Sequence, residues 1–335
     1  MLQQFDERNR DLIVNVGGRL GHRDDAGVSP FDSAVQGGDA VWEGLRLYEG
    51  RIFKLVEHLD RLRSSAKALA FVEIPTHEAI IAEIRRTLEA NGMSDGVHIR
   101  LTLTRGVKYT SGMDPRLNTA GPTLIVLAEW KAPVYGRDGL TLVTSAIRRP
   151  PPDVMDPKIH SANLIPSILA KIEANAAGAD DALMLDPRGF VAETNATHIF
   201  IARKGELATP RVVACPEGIT RATVLEICAA NAIPHREADL TLEDEDADDQ
   251  EGGDRQHGGQ CRVDRAHDGL VDAQVRLLGV GRRSACSDVL RVLAHLTVEP
   301  DLRPVADLGF FRDDGGRMNA SGHRKARTAT PRFDS

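Results

Sequence analysis

The segment Asp180-Asp181-Ala182-Leu183-Met184-Leu185-Asp186-Pro187-Arg188-Gly189-Phe190-Val191-Ala192-Glu193-Thr194-Asn195-Ala196-Thr197-His198-Ile199-Phe200-Ile201 holds two short apolar runs. Ala182 to Leu185 and His198 to Ala202 read as buried strands, because short runs of branched and aromatic residues set off by Asp, Pro, Gly and Asn suit a sheet better than a helix. Glu193 stands between Val191-Ala192 and the polar run Thr194 to Thr197. A glutamate at a strand end ordinarily faces water. Buried, it would instead keep a heterocyclic nitrogen protonated.

Two further features flank this segment. Upstream, Lys158 follows Asp156-Pro157 and precedes an amphipathic helix expected from about Ser161 to Ala177. A lone lysine is usually a solvated surface group, but a strand-end position beside a cleft would desolvate the amine and lower its pKa toward the nucleophilic form. Downstream, Gly218-Ile219-Thr220-Arg221 opens a helix expected from Thr220 to Ala230, with Thr220 placed as its N-cap. Backbone N–H groups and the helix dipole at such an end favour phosphate, although capping alone would also explain Thr220. Arg61, in His58-Leu59-Asp60-Arg61-Leu62, would add a charged donor, against the ordinary reading of a solvated helix face. An amine that forms a Schiff base, a carboxylate for a pyridine nitrogen and a phosphate-binding turn fit one cofactor, pyridoxal 5'-phosphate, which presents all three partners.

The rest of the chain alternates helices and strands. Strands are expected at Leu12 to Val16, Val41 to Tyr48, Val97 to Thr104 and Thr123 to Leu127, with helices from Leu55 to Ala70 and from His77 to Asn91. Leu55, Leu59, Leu62, Ala66 and Leu69 carry the helical period. Ala132-Pro133-Val134-Tyr135-Gly136 interrupts the pattern as a linker would, and a strand at Leu140 to Ala146 begins a second α+β unit. This divides the chain into an N-terminal α+β domain at 1–132, a cofactor-binding domain at 133–244 that is incomplete, and an atypical tail at 245–335.

Composition narrows the function classes. The 335 residues are 41% hydrophobic and 27% charged with a net charge of −7, a soluble globular balance without the basic face that nucleic acid or an anionic membrane demands. Cys215, Cys228, Cys261 and Cys286 form no metal-binding spacing, so no metal is expected and free thiols in a reducing compartment are. The N-terminus has no basic segment followed by an apolar run. The protein is read as cytoplasmic, with small-molecule partners.

Several segments taken together resemble the class IV, fold type IV, pyridoxal-phosphate aminotransferases, a family that includes branched-chain and D-amino-acid aminotransferases and aminodeoxychorismate lyase. The resemblance runs from about Val14 to Asp244. It rests on Asp39-Ala40-Val41-Trp42-Glu43-Gly44-Leu45-Arg46, His58 to Leu69, Lys158 with Asn163, Gly178 to Asp186, Glu193 to Phe200, Thr209-Pro210 and Gly218 to Arg221. It implies an α+β fold with a smaller N-terminal α/β domain and a C-terminal pseudo-barrel. It implies also that Lys158 forms the internal aldimine and shuttles the proton, that Glu193 pairs with the pyridine nitrogen, and that Arg61, Ile219 and Thr220 hold the phosphate. An amino acid and a 2-oxo acid would be the substrates, and a homodimer the assembly, with the partner chain completing the site.

The spacing Lys158-x4-Asn163 and the form Asp181 to Asp186 are most similar to the branched-chain group, where a tyrosine commonly stands at the position of Leu164. Thr104-Arg105-Gly106 is similar to the Thr-Arg-Gly of the D-amino-acid enzymes, so Arg105 would bind a carboxylate or merely end a strand. Trp42 is a second substrate candidate. The alternatives are a D-amino-acid or amine transaminase, a lyase of the aminodeoxychorismate type, and a non-catalytic remnant. After Asp244 the family continues into a strand, a Thr-Gly-Thr/Ser turn for the phosphate and Glu-x-x-Pro-Val, none of which occurs here. Glu245 to Gln260 is almost wholly polar, and lysine nearly vanishes beyond it. The hypothesis is a frameshift near codon 245, and the neighbouring reading frames of the gene test it: the missing motif should appear in one of them, and its absence from both sinks the idea.

Overall fold

A computed structural model of the chain describes residues 3–132, 140–203 and 205–242, and the backbone of two further strands, 260–263 and 275–279. The linker residues 133–139 and the rest of the tail lie outside the described residues.

The N-terminal elements are β1 (Ile13–Val16), β2 (Arg19–His22), α1 (Ser33–Gly37), β3 (Ala40–Tyr48), β4 (Arg51–Ile52), α2 (Leu55–Ala68), α3 (His77–Ala90), β5 (Val97–Thr104) and β6 (Thr123–Trp130). The strands form one sheet in the order β2-β1-β6-β5-β3-β4, antiparallel throughout. Alternation decides which face is covered. Leu45, Leu47, Val97, Ile99, Leu101, Leu103 and Val126 share one side and are buried. Leu59 and Leu62 of α2 and Ile80, Ile84 and Leu88 of α3 close over them in one core. Each such side chain stabilises the fold by about 1.5–3 kcal/mol. The Thr76 hydroxyl caps α3 by accepting from the Ala79 N–H.

The C-terminal elements are β7 (Leu140–Thr144), α4 (Ile165–Ala176), β8 (Asp181–Leu185), β9 (Val191–Thr194), β10 (His198–Arg203), β11 (Glu206–Pro210), α5 (Ile219–Ala230), β12 (His235–Ala238), β13 (Gln260–Val263) and β14 (Val275–Gly279). They form two four-stranded sheets, β13-β7-β8-β9 and β12-β11-β10-β14. The anomalous tail thus supplies two strands: β13 pairs antiparallel with β7, and β14 parallel with β10. Backbone pairing needs only N–H and C=O groups, so it tolerates the unusual side-chain composition.

Two expected boundaries shift. The helix expected from Ser161 begins at Ile165, where Pro166 occupies the first turn, because residues 160–162 bond to β3 instead. Thr220 is the second residue of α5 and not its N-cap, which is Gly218. On α4, Ile165, Ile168, Leu169 and Ile172 remain exposed at helical spacing.

Candidate functional site

β4 covers only the far end of β3, so the edge at Ala40–Trp42 is open. The loop after Lys158 fills it: the Trp42 N–H donates to the His160 carbonyl (3.0 Å), the Ala162 N–H donates to the Ala40 carbonyl (2.8 Å), and Ser161 bridges Val41. The His160 N–H donates to Ser65 Oγ of α2 (3.0 Å). The Trp42 indole N–H donates to the Ser161 carbonyl (3.1 Å). The indole ring stacks on His160 with centroids 4.4 Å apart, and the Arg100 guanidinium lies 3.9 Å from the indole centroid. Lys158 is thus placed by the N-terminal sheet, within a turn and not at a strand end. Its Nζ lies 3.7 Å from Glu217 Oε1 and its side chain is 55% exposed, so the desolvation expected from sequence is not supplied by the described residues.

Beneath this loop lies a buried ionic cluster. Glu43 accepts from Arg61 Nε and Nη2 (both 2.7 Å) and from His58 Nδ1 (2.7 Å), and His160 Nδ1 lies 3.3 Å away. Burial opposes ionisation of Glu43, but His160, Arg61 and His58 together hold its carboxyl well below the usual range. Arg61 keeps one arm outside the cluster: Nη1 donates to the Glu217 carbonyl (2.7 Å), at the entry of α5. No side chain caps α5, so its first amides, those of Ile219 and Thr220 among them, need partners from outside the helix.

Glu193 sits on the other side of α5. The Thr194 N–H donates to the Thr197 carbonyl and their hydroxyls are bonded at 2.8 Å, closing a two-residue turn. The next positions outward, Glu193 and His198, therefore face each other, with His198 Nδ1 3.8 Å from Glu193 Oε2. Both are buried. The Arg149 guanidinium lies against Glu193 Oε1, yet that oxygen accepts no hydrogen bond of proper geometry. Burial pushes the Glu193 carboxyl up to about 7 despite Arg149 and Arg61. Burial likewise pushes His198 down to about 3, reinforced by Arg221, Arg61, Arg149 and His160, and keeps the ring neutral. On its far side the imidazole touches α5: a Cβ at Gly218 would stand 2.2 Å from His198 Nε2. Glycine is required there by close approach, since its φ of −70° is open to any residue.

Lys158, Arg61, Ile219 and Thr220 thus gather around Glu217-Gly218, Glu193 joins them through His198, and Trp42 of β3 packs against the Lys158 loop. Arg105 does not join. Its guanidinium donates to both Asp39 oxygens (2.6 and 3.1 Å) and to the Leu69 and Ala70 carbonyls, and it lies over Phe71. A substrate carboxylate would have to displace Asp39. The sequence reading missed Arg149, His198 and the Glu43–His58–His160 cluster. Only His198 left a usable signal, its position opposite Glu193 across a short turn.

The donor set fits a heterocycle that carries a proton on nitrogen. A buried carboxyl whose ionised form is opposed by burial is stabilised in that form by such an N–H, and the uncapped helix end beside Arg61 is matched to an anion. Among the described residues no group of three His, Cys, Asp or Glu could hold a metal, and no helix is long and apolar enough to cross a membrane.

Comparison with known proteins gives the family. The family model for class IV amino-transferases matches residues 40–249. Branched-chain-amino-acid aminotransferase-like protein 2 of Arabidopsis thaliana is 59% identical over 220 residues, covering 65% of this chain and 39% of its own length. The chain therefore spans well under half of that relative. The putative branched-chain-amino-acid aminotransferase of Methanocaldococcus jannaschii is 42% identical over 235 residues, covering 70% of this chain and 80% of its own. Among solved structures, the T.th. branched-chain amino acid aminotransferase complexed with N-(5'-phosphopyridoxyl)-L-glutamate aligns with a TM-score of 0.64 at 32% identity, over 70% of this chain and 78% of that one. The two share the fold type IV architecture.

Proposed function

The chain belongs to the class IV aminotransferases, and from that membership we propose that it transfers an amino group from a branched-chain amino acid to a 2-oxo acid, with pyridoxal 5'-phosphate as cofactor. The observation that carries this reading is Glu193: a buried carboxyl paired with Arg149, one imidazole away from an uncapped helix end. When bound, the cofactor supplies an aldehyde for amines and a ring that draws electron density from the substrate's α-carbon. Lys158 provides the amine that holds the aldehyde and later moves the α-proton, and its reach toward Glu217 keeps it at the mouth of the site. Glu193 holds the proton on the ring nitrogen. Arg61 and the amides of Ile219 and Thr220 hold the phosphate. The branched-chain assignment draws on the names of the relatives. A homodimer is proposed as well, supported by the apolar stripe on α4, which otherwise faces solvent.

Carbonyl product formation by the full chain, loaded with cofactor and given a 2-oxo acid as amino acceptor, tests the reading: L-leucine and D-alanine would give 2-oxo acids, and an aromatic amine a ketone or aldehyde. Turnover of L-leucine above the other two is expected. Preference for D-alanine or the amine moves the chain to another branch of the family, and no turnover of any donor by folded, loaded protein contradicts the enzyme.

A further inference from the structure

We propose that His198 is a positioning residue that couples the two ends of the cofactor site, setting the Glu193 carboxylate at a fixed distance from the phosphate-binding end of α5. The inference rests on the cofactor reading above. Its geometric basis is a contact on each side of one ring. Nδ1 faces Glu193 Oε2 at 3.8 Å, and Nε2 and Cδ2 lie so close to the Gly218 backbone that a Cβ there would come within 2.2 and 2.3 Å of them.

Neither contact is accidental to the local fold. The Thr194–Thr197 turn aims His198 at Glu193, and β10, of which His198 is the first residue, enters the sheet against which α5 packs. The Val224 and Cys228 side chains of α5 share a core with Phe200 and Ala202 of β10. The helix end therefore cannot move away from the ring without opening that core. The imidazole is neutral in this setting, because it is buried and Arg61, Arg149, Arg221 and His160 surround it, while Glu193 is the one acid that faces it among the described residues. A neutral ring transmits position without competing as a cation for the Glu193 carboxylate. It is also rigid, with two rotatable bonds, so a shift of the helix end is passed on to the carboxylate.

A coupling residue has a signature that general loosening of the fold lacks. Pyridoxal phosphate uses both ends of the site, whereas pyridoxal, which has no phosphate, uses only the ring end. The experiment is an absorbance titration of the cofactor-free full chain, wild type, His198→Ala and His198→Gln, with each of the two compounds. His198→Ala is expected to bind pyridoxal phosphate about tenfold more weakly while its affinity for pyridoxal changes much less, and His198→Gln, which keeps a neutral polar side chain of similar reach, is expected to recover part of the loss. The pH at which the bound cofactor's visible band titrates should shift in His198→Ala, because the Glu193 carboxylate is no longer held in place. Equal losses for both compounds, or no loss for either, overturn the coupling role. A wild-type chain that takes up neither compound overturns the cofactor reading itself and this inference with it, which is a distinct result.

Discussion

The two buried glutamates among the described residues have the same kinds of neighbour and opposite states. Glu43 has Arg61, His58 and His160 around it, accepts three hydrogen bonds of 2.7 Å, and is held firmly ionised. Glu193 has Arg149, Arg61 and His198 around it, leaves an oxygen without a proper hydrogen bond, and is pushed up to about 7. The difference lies in geometry and not in residue type. Glu43 is a finished ionic rivet that ties β3 to α2 and to the Lys158 loop. Glu193 is a less completely compensated carboxyl, because it meets Arg149 without the geometry of a proper hydrogen bond.

Removing the rivet should have the largest effect. Glu43→Ala leaves Arg61 and His58 buried without their acceptor, and a loss on the order of 3–5 kcal/mol is expected in urea unfolding. A loss under about 1 kcal/mol would mean the cluster is not the rivet described. Glu193→Gln should act in the other direction in the cofactor-free chain. The carboxyl titrates near 7 folded against 4.5 for the ordinary group, so its contribution to stability is complete below about pH 4.5 and is lost as pH rises through about 7. Glutamine does not titrate there. The variant should therefore match wild type at low pH and exceed it above pH 7 by on the order of 3 kcal/mol, and parallel stability curves across that range would break the contrast between the two glutamates.

Gly218→Ala sharpens the contrast at smaller amplitude. The new methyl group meets His198, and overpacking of this kind costs about 1–3 kcal/mol. The cost should fall in a His198→Ala background, as measured by a double-mutant cycle, and additive effects would show that the two do not touch. Smallest is Lys54→Ala. Lys54 Nζ reaches Glu226 of α5 at 3.2 Å, but Glu226 is largely exposed, so the loss should stay under about 1 kcal/mol and diminish with added salt.

Much of this was legible in the sequence where a period or a turn residue speaks locally. Leu55, Leu59, Leu62 and Ala66 announced α2, and Gly92 its neighbour's end. Strands β2 and β12 were not legible because Arg19-Leu20-Gly21-His22 and His235-Arg236-Glu237-Ala238 carry too little apolar pattern. The tail strands β13 and β14 are held by backbone pairing with β7 and β10, which composition does not report. In the site, Lys158, Arg61, Glu193 and Ile219 were named from sequence, and the structure brings them to one junction. Thr220 was named for capping, and Gly218 caps instead. Arg105 was legible only as a motif: the Asp39 partner that occupies it lies 66 residues away. Arg149 was silent for the same reason, since its partner Glu193 is reached only after β8 has paired with β7 and β9 with β8.

The central claim is that Lys158 is the amine that holds the cofactor beside Glu193. Borohydride reduction of the full chain loaded with pyridoxal phosphate, followed by peptide mass mapping, tests it most directly. The account predicts one reduced phosphopyridoxyl group, on Lys158, and none in Lys158→Ala. Labelling of a different lysine, or no labelling of folded wild-type protein, would contradict it.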